Sequence, residues 1–99
     1  MTIVHISDNA KLDLQQIYDF IAEYSVQYAD NQLNRIIKTI EILKVSGFEL
    51  SGMVDEYNSN YRRLIQGNYK ILYQKNEDGS IRIHRIFDTR QSTQKLENL

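Results

Sequence analysis

A chain of 99 residues with 41% hydrophobic content suffices for one core and one domain spanning residues 1–99, and falls short of two. It contains no cysteine, which excludes disulfides, thiolate metal sites and cysteine nucleophiles and fits a reducing cytosol. The net charge of −1 conceals two opposed parts: residues 1–60 hold four basic and nine acidic side chains, residues 61–90 seven basic and three acidic. The second part therefore suits a phosphate backbone or an acidic peptide, or else is a strand region with a solvated basic face.

The first six residues carry no basic leader and no long apolar run, so neither a signal peptide nor a membrane span is expected, and the cytoplasm is the expected location. Residues 3–6 are short and β-branched and predict a strand, closed by Ser7-Asp8-Asn9, three residues that favour a helix N-cap. Ala10, Leu14, Ile17, Ile21 and Tyr24 then recur at helical spacing, predicting an amphipathic helix that ends near Tyr24. Ser25 is placed to cap a second helix with an apolar stripe of Ala29, Leu33, Ile36, Ile37, Ile40 and Leu43, and Ser46-Gly47 marks its expected stop. With almost no linker between them, the two helices form an expected hairpin that needs a further layer to cover it.

Residues 46–60 show no sustained period, and Val54 and Tyr57 are candidates for a brief edge strand there. Three strand-like runs follow at 61–66, 69–74 and 81–87, joined by Gly67-Asn68 and by a turn at 76–80. Alternation puts Tyr69, Ile71 and Tyr73 on one face and Lys70, Leu72 and Gln74 on the other, so one face packs on helices and the other is expected to be more polar. The fold class is α+β: an N-terminal strand and a helical hairpin packed on a twisted antiparallel sheet of four or so strands.

Three pieces in this order resemble one family. Asp13-Leu14-Gln15-Gln16-Ile17-Tyr18-Asp19-Phe20-Ile21 is similar to the opening helix of the RelE/ParE toxins of type II toxin–antitoxin systems. Arg62-Arg63-Leu64-Ile65 followed by Gly67-Asn68-Tyr69-Lys70-Ile71-Leu72-Tyr73 resembles the family's central hairpin, and Ile81-Arg82-Ile83-His84-Arg85-Ile86-Phe87-Asp88-Thr89-Arg90 its final strand and basic turn. The resemblance implies a toxin of a plasmid stabilisation system, held inert by a cognate antitoxin that adds a strand to the sheet or lays an amphipathic helix in an apolar groove. Exposed apolar surface would also allow a homodimer or a hetero-oligomer with the antitoxin.

Within the family, RelE-like members are ribosome-dependent messenger RNA endoribonucleases and ParE-like members inhibit DNA gyrase. A metal-free ribonuclease needs a base, a cation on the scissile phosphate and an acid for the leaving oxygen. By resemblance the catalytic cations of a RelE-like reading are Arg63, Lys70 and Arg90. Its proton-transfer groups are poorly matched, because Asp88 stands just beyond the last strand and no tyrosine follows Tyr73. A ParE-like inhibitor needs only a complementary surface, for which Arg62, Arg63, Lys70 and Arg90 are the target-binding candidates. Arg62 has a competing structural reading as the partner of a helix carboxylate, Asp13 or Asp19. A non-toxic interaction module that keeps the fold is the third reading.

His5 and His84 have no second ligand at metal spacing and read as ordinary strand histidines, so neither metal nor cofactor is expected. Gly67 and Gly79 read as turn glycines, and Tyr69 and Tyr73 as core rather than base-stacking residues. Residues 91–99 are mostly polar and read as a tail, or as a segment ordered by a partner.

Overall fold

The computed structural model describes residues 2–51, 53–55 and 60–90, with the backbone alone for 46–51 and 53. Strand β1 (Val4–Ile6) leads into helix α1 (Asp8–Ala22) and helix α2 (Val26–Ser51), followed by β2 (Met53–Val54), β3 (Arg62–Gln66), β4 (Tyr69–Lys75) and β5 (Ile81–Asp88). The sheet order is β1-β5-β4-β3-β2. The α+β class agrees with the sequence. The sheet is mixed rather than wholly antiparallel, because β1 lies parallel to β5 with Val4 opposite Ile81 and Ile6 opposite Ile83. A hairpin of two helices intervenes between β1 and the meander, so the first strand has room to return in either direction.

Ser7 caps α1 as its residue type suggests: its Oγ accepts the Ala10 N–H at 3.0 Å and donates to the His84 carbonyl at 2.7 Å. Ser25 does the same for α2, accepting the Tyr28 N–H at 3.1 Å. The first helix stops at Ala22, two residues before the expected end, and leaves Tyr24 79% exposed. The expected stop at Ser46-Gly47 does not occur, since α2 continues to Ser51. A glycine inside a helix costs only about 1 kcal/mol relative to alanine, and no proline follows it. The edge strand expected around Val54 is β2, with Val54 opposite Arg62; Tyr57 and the tail 91–99 lie outside the described residues.

The core sits between the helices and one sheet face, where Ala10, Ile21, Ile36, Ile40 and Leu43 meet Ile71, Tyr73, Ile81, Ile83 and Ile86. Both hairpin turns rest on glycines in the left-handed region, Gly67 at φ 59° and Gly79 at φ 88°, where a side chain would be strained. The opposite face departs from the polar expectation: Lys70 and Leu72 are buried beside Tyr69, Ile71 and Tyr73, so the first five residues of β4 are enclosed on both sides. Leu72 and Phe87 form a second small apolar cluster there with Tyr61. The Lys70 ammonium is neutralised at 2.8 Å by Asp55, which follows β2.

Candidate target-binding site

Basic side chains reach the surface from β3, β4 and β5, and their partners determine what each can do. Arg62 is half-buried opposite Tyr73. Burial raises the Tyr73 pKa above its ordinary value, while a hydrogen bond from Arg62 and the arginine's charge oppose the rise. Of the helix carboxylates suggested for Arg62, Asp19 accepts from Gln15 at 2.8 Å, and Asp13 is held by Arg85. Arg63 lies on the opposite face, half-buried opposite Leu72, and donates through Nη1 to the Val54 carbonyl at 3.1 Å. Lys70 is 3% exposed and ion-paired with an equally buried Asp55. Of the four sequence candidates, Arg90 is the most open. Its guanidinium grips Asp88 at 2.6 and 2.9 Å, and its side chain is 63% exposed. That grip holds the Asp88 carboxyl below the usual range.

The structure separates these four. Arg62 is committed to the helix-facing side, Arg63 and Lys70 to the other face, and Arg90 to the end of the sheet. Asp88, which Arg90 grips, belongs to the lining of a groove of about 290 Å³ together with Asp13, Gln16, Ile17, Phe20, Tyr69, Ile86 and Phe87. Tyr69 sits at its base with its pKa raised by burial and by Asp88, an effect that Arg90 partly offsets. Phe20, 62% exposed, forms its rim and packs edge-on against Tyr24 with ring centroids 5.9 Å apart.

Asp13, which the sequence offered as a partner for Arg62, pairs instead with Arg85, and the two organise the site's supporting wall. Asp13 Oδ2 and Oδ1 receive Arg85 Nε and Nη2 at 2.8 and 2.9 Å, and Oδ2 also accepts the Ile86 N–H at 2.9 Å. Here β5 has run past the end of β1, and Ser7 and Asp13 supply the hydrogen bonds that a longer β1 would have made. The Arg85 guanidinium also lies 5.0 Å from the centroid of the Phe87 ring. A signal existed for Asp13. It follows Ala10 by three positions and precedes Ile17 by four, within the buried stripe of the helix.

On the outer side, an apolar groove between the helices is lined by Leu14, Tyr18, Leu33 and Ile37 with Lys11 at its margin. Ile37 is shared with a second hollow that reaches Val4, Ile6 and Ile40, bounded by Glu41 and Lys44. Among the described residues no group of three or more acidic, histidine or cysteine side chains could hold a metal ion, and no helix is long and apolar enough to cross a membrane.

The sequence matches a family model described as the ParE toxin of the type II toxin–antitoxin system parDE, over residues 4–93. Among solved structures, the chain is similar to one from the chromosomal ParDE toxin–antitoxin system of P. aeruginosa, at 19% identity and a TM-score of 0.79, covering 91% of this chain and 98% of that one. It is also similar to one from the toxin–antitoxin complex RelBE2 of Mycobacterium tuberculosis, at 15% identity and a TM-score of 0.62, covering 88% of this chain and 96% of that one. No curated protein matches the sequence. At these identities the structural likeness establishes the fold, and the family model establishes the kinship.

Proposed function

The chain belongs to the ParE toxins of type II toxin–antitoxin systems, and we propose that it arrests growth by inhibiting DNA gyrase until a cognate antitoxin neutralises it. The observation that carries this reading is the state of the candidate cations. Lys70 is sealed against Asp55, so one of the charges a ribonuclease would aim at a scissile phosphate is already spent within the protein. Asp88 itself, where a proton-transfer group would be needed, is kept ionised by Arg90, and a carboxylate repels the phosphate it must approach. An inhibitor needs none of these groups to react. It needs a shaped surface, and the groove beside Phe20, Tyr69 and Arg90 is one, with an exposed aromatic rim and one exposed guanidinium to anchor a partner.

The antitoxin's seat is the outer groove of the helical hairpin. Its apolar floor of Leu14, Leu33 and Ile37 suits an amphipathic helix, and Lys11 at its margin favours an acidic residue on that helix. The toxin works in the cytoplasm, where gyrase and the antitoxin are met. A direct test adds purified protein to gyrase with relaxed plasmid, and separately to ribosomes translating a defined message. Loss of supercoiling with the message intact supports the proposal. Cleavage of the message in the ribosomal A site, with gyrase unaffected, moves the chain to the RelE-like reading with Arg63, Lys70 and Arg90 as catalytic cations. Neither effect, from folded protein, leaves the non-toxic interaction module.

A further inference from the structure

The irregularity in β5 gives the sheet face away from the helices a chemistry that gyrase inhibition does not use. Leu72 lies opposite Arg85 and Tyr73 opposite Ile83, so His84 is the extra residue of a bulge. Bulges turn side chains away from the regular alternation. Arg82 Nη1 lies 3.1 Å from His84 Nδ1. A guanidinium has donors only, so Nδ1 accepts, and the neutral ring carries its proton on Nε2. Tyr61 stacks on this ring with centroids 4.8 Å apart and planes 22° from parallel, which fixes its orientation. Nε2 makes no hydrogen bond among the described residues.

Arg85, next in the chain, is held through Nε and Nη2 by Asp13, which leaves its Nη1 donors outside that fork. The cluster is thus a half-buried set of donors: Arg82, the Nε2–H of His84, and Arg85. Asp13 is the acidic group that acts on His84, and its charge is already spent on Arg85. Burial first, and then Arg82 and Arg85, hold the His84 pKa below its ordinary value, so the neutral donor form prevails at pH 7.

We propose that Arg82, His84 and Arg85 form a binding site for a phosphate group, supplied by a polynucleotide backbone or by a free phosphate. Among the described residues, Arg82 keeps its Nε and Nη2 donors and Arg85 its Nη1 donors for phosphate oxygens, and a half-buried position strengthens each such bond. A bound phosphate also favours the imidazolium form, adding a third positive charge when the ligand is present. The site stands on its own geometry and does not rest on which cellular target the toxin has.

The sequence has two histidines, His5 and His84, and His5 is exposed in β1, which supplies an internal control. The imidazole resonances are followed by NMR at constant ionic strength while inorganic phosphate, or a mixed-sequence single-stranded oligonucleotide, is added. We expect the His84 pKa to rise by about one unit at saturation, and the His5 resonances not to move with added ligand. Arg82→Gln should weaken binding about tenfold or more, with the fold checked through the amide spectrum. Tighter binding of the oligonucleotide, lost steeply with added salt, identifies a polynucleotide as the source; equal affinities identify the free ion. A His84 response no larger than that of His5, or one undiminished in Arg82→Gln, overturns the proposal.

Discussion

Asp13 and Arg85 lie 72 positions apart in sequence and meet in a two-pronged ion pair at 2.8 and 2.9 Å, the carboxylate also taking the Ile86 N–H. One side chain thereby fastens the first helix to the last strand. Asp13→Ala removes all three hydrogen bonds and leaves a half-buried guanidinium without its partner, so it should cost about 3 kcal/mol in a urea denaturation. Arg85→Lys should recover little of the loss it causes, because an ammonium is a point charge and cannot make the paired contact.

The buried Lys70–Asp55 pair predicts an asymmetry between single and double changes. Lys70→Ala removes the ammonium that neutralises a buried carboxylate and should destabilise by roughly 3–5 kcal/mol. Replacing both partners, Lys70→Met with Asp55→Leu, should return most of that, since apolar groups of similar volume often substitute for a buried pair without loss. Chemical denaturation of the two variants beside the native chain checks this, and a double variant no better than Lys70→Ala would show that the two charges act independently.

His84 makes stability depend on pH in a definite direction. Its pKa is lowered on folding by burial and by Arg82 and Arg85, so the unfolded chain binds the proton more readily. The stability this group contributes is present above the unfolded value of about 6.5 and is lost as pH falls from there towards the folded value. Denaturation midpoints measured between pH 7.5 and 5 should fall on acidification in the native chain and stay flatter in His84→Gln.

Arg90 should separate fold from activity. Its guanidinium is largely exposed and, among the described residues, hydrogen-bonds Asp88 at the strand end, so Arg90→Ala should leave the thermal midpoint within experimental error. Toxicity in a growth assay should drop clearly if the groove beside Tyr69 meets the target. A fully toxic, well-folded Arg90→Ala variant would remove Arg90 from the binding surface.

Much of this arrangement is legible in the sequence because it follows from local chemistry. Ser7 and Ser25 announce helix starts, Gly67 and Gly79 announce turns, and the β-branched runs around them announce strands. The parallel placement of β1 is not a local property, since a short β-branched run pairs equally well in either direction. The continuation of α2 past Gly47 also escapes local reading, because a glycine there is equally compatible with a cap or an interior position.

The site residues were harder to read because their roles depend on partners distant in sequence. Lys70 alternates with core residues and looked solvent-facing until Asp55 was found over it. Arg85 sits where the apolar pattern Ile81, Ile83, Ile86 slips by one residue at His84-Arg85, and that slip is the bulge. The phase of the alternation held the information that its average composition did not.

The central claim is that this chain arrests growth through gyrase. The most direct measurement is controlled expression in a bacterial host, following growth, plasmid supercoiling and messenger RNA integrity in the same cultures. The account predicts arrest with altered supercoiling and intact messages; arrest with codon-linked message cleavage and normal supercoiling would contradict it.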